Sequence, residues 1–529
     1  MEPARGSPSR GGHLARDDDG GPRRASRTAA PHEAGDVGLP PVGTEARDAL
    51  AAHHPDRPGA PLSLGEVLRL QRAVGNRRVQ RLVQPVVQRT PLSEDLATAA
   101  AGRPPRAVLG LVGQARYQSG ARDPAELTAM TEVLRKVLSP DDCWLAVRVL
   151  RGELGMSGGV TKAEGAPRDV PPQPITVSYV EGRSSERALV IAGVHGSERQ
   201  GIEVAQALLA TIRTQQPHYS VVVVPSLFPQ HADTAWGDEG KRQRGTQTNR
   251  NFPALDAPVG SYSGGQALDP AGKPLRAAPD DSGTARPILA ENVMLMELID
   301  RFAPSRIISI HGTHDTSASG VFADPHFMSP AKERAIEWLA GFIGSLAALV
   351  GLTGPDVKTL TDAFEKADQT RTQNDIDLAL ATAYAVQSRA TGASLAERFD
   401  KRRAKGKRTS PSVTGNKLYA GAGKENATWR EDLDPATGRP KRWQERADKK
   451  GVSLGLYGPA KGISVFTVEP PVNRALDYYD KHAEPSGAKV SKADREGEIT
   501  AYAEAVALVL LGPDSGAAAL AAQRPSPTP

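Results

Sequence analysis

The chain's hydrophobic pattern predicts an α/β fold, and three observations carry that expectation. First, apolar runs such as Leu189-Val190-Ile191-Ala192 and Val221–Val224 are continuous rather than alternating, as in strands covered on both faces. Second, segments with apolar residues three and four apart lie between those runs, which is the helical period. Third, strand and helix signals alternate along the second half of the chain, as sheets packed between helices require.

The elements follow in chain order. Residues 1–60 are rich in Gly, Pro, Arg, Asp and Ala, with almost no large apolar side chains. Such composition cannot bury enough surface to offset its ordering entropy and predicts disorder. Over 61–90 the character changes: Leu64, Val67 and Leu68, then Val79, Leu82 and Val83, make two short amphipathic helices around the Gly75-Asn76 stop signal. Residues 91–156 hold helical stretches around Ala107–Tyr117 and Pro124–Leu138 and read as a small helical linker region. A larger domain spans 172–513. Its expected strands are Ile175–Val180, Ala188–Val194, Ser220–Pro225, Arg306–Ile310 and Ile463–Val468. Helices are expected at Gly201–Thr214, Ile288–Phe302 and Arg495–Leu511. A helical insertion occupies about 329–450, with helices on the Ile336–Val350 repeat, at Asp375–Ala390 and at Ser394–Arg403. The basic run from Lys401 to Arg408 reads either as a solvated face or as a lid rim that attracts acidic substrates. Residues 514–529 resemble the first sixty and are expected to be a disordered tail.

Whole-chain properties exclude several classes. A formal charge of +5 over 529 residues is small, and the basic 70–82 stretch carries no interleaved aromatics, so nucleic acid is not an expected partner. The single cysteine, Cys143, permits no intramolecular disulfide and no cysteine zinc cluster. No apolar stretch near the start has the length of a signal peptide, and none elsewhere reaches a membrane span. Synthesis in the cytoplasm is the corresponding expectation.

Four segments carry the chemistry. They are His195-Gly196-Ser197-Glu198, Asn249-Arg250-Asn251-Phe252-Pro253, Ile308-Ser309-Ile310-His311 and Val465-Phe466-Thr467-Val468-Glu469-Pro470-Pro471. A His and a Glu three apart, joined by a distant His, supply two imidazoles and one carboxylate, the set a catalytic zinc uses while keeping one position for water. Three of the four segments follow β-branched runs, where open α/β sheets place their sites. His314 competes with His311 for the third ligand; His311 is preferred because it directly follows the strand.

In this order the four segments resemble the zinc carboxypeptidase superfamily, which includes murein-peptide amidases and small-molecule deacylases. The resemblance implies a mixed sheet flanked by helices and one Zn²⁺ per chain, held by His195, Glu198 and His311. It assigns Glu469 as general base and then acid, and the Asn249–Arg250 pair to the substrate's terminal carboxylate. It also calls for an earlier arginine that stabilises the oxyanion; Arg242 and Arg244 both qualify, with Arg244 preferred. Tyr457 falls where relatives line the pocket, although a core aromatic fits it nearly as well. One departure stands out. Relatives have Asp two residues before the Asn-Arg pair, orienting a ligand imidazole, and this chain has Gln247. An amide oxygen can accept the same hydrogen bond without charge assistance, so ligand basicity would fall.

The string Leu70–Leu82 resembles a segment near the N-termini of cargo proteins of extracellular contractile injection systems. The resemblance implies export by such a particle, docked through 61–90; together with a likeness of Ser453–Pro471 to murein-peptide hydrolases, it implies cell-wall stem peptide as the substrate. Two alternatives are a zinc-dependent deacylase of N-acyl amino acids and a non-catalytic binding or structural cargo.

Overall fold

Each continuous apolar run becomes a strand buried on both faces. The computed structural model describes residues 92–119, 124–158, 160–163, 166–233, 241–243, 246–279, 283–313, 320–324, 326, 330–350, 353–390, 451–471 and 492–523, all within one unit, Thr90–Pro529. The expected tail at 1–60, the docking segment at 61–90, the helix at 394–403 and the basic run at 401–408 lie outside the described residues.

Four helices come first: α1 (Leu92–Ala100), α2 (Pro105–Ser119), α3 (Pro124–Val137) and α4 (Pro140–Arg151). The strands β1 (Glu153–Met156), β2 (Val160–Ala163), β3 (Ala166–Asp169), β4 (Pro174–Thr176) and β5 (Ser178–Val180) follow. Next come β6 (Arg187–Ala192), α5 (Arg199–Gln215), β7 (Ser220–Val224), and two small hairpins, β8 (Arg242–Gln243) with β9 (Thr246–Gln247) and β10 (Ser261–Ser263) with β11 (Gln266–Leu268). Then α6 (Ala290–Phe302), β12 (Arg306–Ile310) and β13 (Gly320–Ala323) lead into α7 (Pro330–Val350) and α8 (Gly354–Arg389). The last elements are α9 (Leu454–Ala460), β14 (Ser464–Glu469), α10 (Lys492–Ala505), a π-helical turn at Val506–Leu510, and α11 (Gly516–Gln523).

The central sheet has six strands in the order β13-β14-β12-β6-β7-β5. Its four middle strands are parallel, and the edge strands β13 and β5 run antiparallel to their neighbours. It is a mixed sheet flanked by helices, as expected. Residues Leu189, Ile191, Val222, Ile307 and Val465 face one core, shared with α1–α4, α6 and α9. Val190, Val223, Ile308, Phe466 and Val468 face the other, shared with α5, α8, α10 and α11. Full burial of one such side chain stabilises the fold by about 1.5–3 kcal/mol.

The expected strand Ile175–Val180 divides into β4, paired with β1, and β5, at the edge of the central sheet. Three further features differ from the sequence reading. Leu109, Met130, Leu134 and Leu145 lie in the same buried cluster as the sheet, so the helices of 92–151 are a layer of the domain. Within the insertion, α8 is a single helix from Gly354, longer than the segment the spacing marked. Its second half, with Leu378, Ala381 and Val386, covers a sheet face rather than a cleft. The third difference corrects the disordered tail: residues 516–523 form α11, with Ala519 and Leu520 buried. An alanine-rich segment has high helix propensity, and this one docks where Gly516 meets the Asn374 carbonyl with no room for a Cβ. Among the described residues no helix is long and apolar enough to cross a membrane.

If α11 is part of the core, Leu520→Ala lowers unfolding free energy by about 2–4 kcal/mol, the usual cost of truncating a buried leucine. Urea unfolding with an unchanged m-value measures it; unchanged stability would return this helix to the tail.

Candidate metal centre

The chain passes from β6 to β7 on one side of the sheet, then crosses back over β6 to β12 and β14 on the other. The strand order therefore reverses between β6 and β12, and open α/β sheets place their ligands outside the carboxyl ends at such a point. Pairing sets those ends level: Ala192 and Val468 each lie beside Ile310. His195 follows β6 by three residues, His311 follows β12 by one, and Glu469 ends β14.

Two glycines make the approach possible. A Cβ on Gly196 would stand 2.4 Å from both the Phe228 carbonyl oxygen and the His231 Cβ. One on Gly201, in the first turn of α5, would stand 2.4 Å from the His311 carbonyl oxygen. With neither present, α5 starts directly against the end of β12. Glu198 is the N-cap of α5, yet its side chain makes no capping bond. It turns to His311 instead, whose Nδ1 is 2.8 Å from Glu198 Oε2. The helix N-terminus still favours its negative charge.

His195, Glu198 and His311 are all buried, and one potential ligand atom from each lies within 4.8 Å of the others. The rings of His195 and His311 are 5.3 Å apart and tilted by 58°. Tetrahedral zinc with bonds of about 2.0–2.2 Å needs donors roughly 3.4 Å apart, so small side-chain shifts suffice and the donor set fits the ion. Each imidazole has a second partner. The Thr248 hydroxyl donates to the Lys241 carbonyl at 3.2 Å, so its oxygen accepts from Nδ1–H of His195 at 3.1 Å and leaves Nε2 as a donor to metal. Ser309 Oγ meets His311 Nε2 at 3.0 Å, leaving Nδ1 directed at Glu198. Such outer partners fix ring orientation and tautomer.

Charge is concentrated here. Burial lowers the pKa of His195 to about 3, with the positive Lys241 and Arg250 assisting and Glu198 opposing. Burial opposes ionisation of Glu198, but both imidazoles and Lys241, whose Nζ is 3.2 Å away, outweigh it and hold the pKa well below the usual carboxylate range. Glu469 is pushed up, by burial first and by Glu198 and Asp324 next, with His311 and Lys241 opposing. The residue as a whole is half-buried. Asp324, just past β13, is raised to about 7 by burial; its Oδ2 accepts from Thr467 Oγ1 at 3.1 Å.

The structure thus brings together His195, Glu198, His311 and Glu469. Arg250 lies close enough to influence His195 and Asp324, and it bonds the Asn249 carbonyl at 2.6 Å. Asn249 uses its Oδ1 to accept from Leu454 N at 3.1 Å, tying this loop to α9. Tyr457 is buried and stacked on Phe252, with ring centres 5.2 Å apart. Its other neighbours, Lys461, Tyr262 and Asp300, are not members of the His195–Glu198–His311 group. Arg244 and His314 lie outside the described residues, and Arg242 has an exposed side chain. The role foreseen for Gln247 falls to Thr248. Lys241, Thr248, Ser309 and Asp324 were not picked out from sequence. A hydroxyl beside an Asn-Arg pair or two residues before a strand-end His was the available signal, and it is a weak one.

No family model and no curated protein matches the chain. It is similar to a candidate metallopeptidase from Shewanella amazonensis over 72% of this chain and 94% of that one, at 13% identity and a TM-score of 0.29. It is similar to a metallo-carboxypeptidase from Pseudomonas aeruginosa, solved with (2-guanidinoethylmercapto)succinic acid, over 68% of this chain and 64% of that one, at 13% identity and a TM-score of 0.29. A succinylglutamatedesuccinylase/aspartoacylase from Rhodobacter sphaeroides covers 34% of this chain and 46% of its own, at 16% identity and a TM-score of 0.19. Values this low leave the chemistry to be argued from this chain's own side chains.

Replacing His311 with Ala is expected to remove most bound metal, while Thr248→Ala weakens affinity about 10- to 100-fold, as loss of an outer partner does. Elemental analysis and chelator competition measure both. Metal retained in His311→Ala but lost in His314→Ala would transfer the third ligand to His314.

Proposed function

We propose that the chain is a zinc-dependent hydrolase that cleaves an amide bond close to a free carboxylate. The observation that carries this reading is a buried His-Glu-His donor set with a separate, proton-avid carboxyl at the adjacent strand end. When bound, zinc polarises a carbonyl and lowers the pKa of water towards about 7. Glu469 is suited to take a proton and pass it to the leaving nitrogen, because desolvation makes its carboxyl hold a proton readily and His311 and Lys241 still favour its release. Arg250 has the fork geometry to grip a carboxylate through two parallel hydrogen bonds. Arg244 is the oxyanion donor of this scheme.

Peptides of the bacterial cell wall are the substrate we infer. The support is the likeness of Ser453–Pro471 to the corresponding stretch of murein-peptide hydrolases. Delivery by a contractile injection particle is the matching biological setting, and it rests on the Leu70–Leu82 segment alone.

Glu469→Gln should keep its zinc and lose about 10²–10⁴ in kcat, the usual contribution of an acid–base group. Arg250→Ala should raise KM about tenfold or more for substrates with a free carboxylate and change little for their amidated counterparts. Steady-state hydrolysis of a panel of stem peptides and N-acyl amino acids measures both. Preference for the N-acyl amino acids would make the protein a deacylase, and full activity in folded Glu469→Gln would overturn the mechanism.

A further inference from the structure

Two adjacent polar residues in the first turn of α6, Glu291 and Asn292, are completely buried at 0% exposure. Burying a carboxylate or an amide is unfavourable unless its hydrogen bonds are made. Here Glu291 Oε1 and Asn292 Nδ2 make theirs, most of them to residues 230, 243, 248 and 251, on segments beside the metal centre. Glu291 Oε1 accepts from Gly158 N at 2.6 Å, Gln230 Nε2 at 2.9 Å and Gln243 Nε2 at 3.2 Å. Gln230 also donates to Gln243 Oε1 at 2.9 Å, closing a ring of three side chains. Gln243 stands two residues from Lys241, and Gln230 precedes His231, which abuts Gly196 between the first two ligands.

Asn292 holds the other end of the same loop. Its Nδ2 donates to the Thr248 carbonyl at 2.8 Å and the Asn251 carbonyl at 3.2 Å. Asn251 is itself pinned, its Oδ1 accepting from Leu289 N at 2.6 Å and its Nδ2 donating to the Pro287 carbonyl at 3.1 Å. One helical turn therefore grips residues 241–243 of this loop through Gln243 and residues 246–251 through Thr248 and Asn251. That loop supplies Thr248 to His195, Lys241 to Glu198, and Arg250. Among its described residues, its own regular structure is the two-residue pairing of β8 with β9 and a single 3₁₀ turn at Thr248–Arg250.

We propose that Glu291 and Asn292 are positioning residues that hold residues 241–243 and 246–251 against the metal ligands, and so set both metal affinity and the placement of Arg250. The part of this that concerns Arg250 rests on the hydrolase reading above; the part that concerns the metal does not. Neither residue touches a ligand directly, so each acts through Thr248, Lys241 or Gln243. An apolar filler of the same volume would occupy the space without fixing the loop.

Hydrogen–deuterium exchange and zinc competition on the full-length chain test the proposal, using Glu291→Ala, Asn292→Ala and the conservative Glu291→Gln. In the alanine variants, exchange across 246–251 should rise about tenfold or more and zinc affinity should fall about tenfold, with β6 and β12 as protected as in the parent. Glu291→Gln keeps an acceptor at Oε1 and should stay within about threefold of the parent in both. Parental loop exchange and zinc affinity in a folded alanine variant would overturn the proposal. So would an equal loss of protection in β6 and β12, which would mark a general role in stability. If one alanine variant fails to fold, the other decides. On a cleaved peptide, KM should rise more than kcat falls. If the parent cleaves nothing, the hydrolase reading falls while exchange and zinc affinity still decide the positioning role.

Discussion

The parallel pairing that sets Ala192, Ile310 and Val468 side by side governs where His195, His311 and Glu469 meet. Strands that end level deliver the residues after them to one place, and register in a sheet buried on both faces is strongly specified. A slip of one residue would exchange every side chain between the two cores. It would send Ser309 and Thr467 into the face lined by Val190 and Phe466, and point His311 and Glu469 away from Glu198. The valine and isoleucine runs thus do more than fill volume, because they lock the row from which the donors project.

Against that rigid row, the site gathers more charge than the interior accommodates cheaply. Glu198, Glu469 and Asp324 face Lys241, Arg250 and two imidazoles in a largely buried space. Burial raises the proton affinity of Glu469 and Asp324, while Glu198 stays ionised only through its cationic neighbours. A divalent cation among the His195, Glu198 and His311 donors would relieve this imbalance, supplying charge to the carboxylate, taking the Nε2 lone pair of His195 and replacing the Nδ1 proton that His311 gives to Glu198.

Much of this could be read from residues alone. Continuous β-branched runs located the parallel strands, and the residue types after them marked His195, Glu198, His311 and Glu469. The four-residue strand Gly320–Ala323 escaped, since its pattern is too short to separate from a loop. The tail helix Gly516–Gln523 escaped because small side chains look like filler until a partner surface is present. Thr248 and Ser309 act through single hydroxyls, whose role depends on where an imidazole ends up. Glu291 and Asn292 read as an ordinary polar helix start; only tertiary contact with Gln230, Gln243 and Thr248 reveals them as buried anchors. Periodicity reports which face is apolar, and says little about polar groups whose partners lie far away in sequence.

The most direct test of the central claim, that level strand ends present His195, Glu198 and His311 to one metal ion, is X-ray absorption spectroscopy of the zinc-loaded full-length chain. The account predicts two imidazole nitrogens at about 2.0–2.1 Å with the remaining ligands oxygen at about 2.0–2.2 Å. A single imidazole, or three or more, would contradict it.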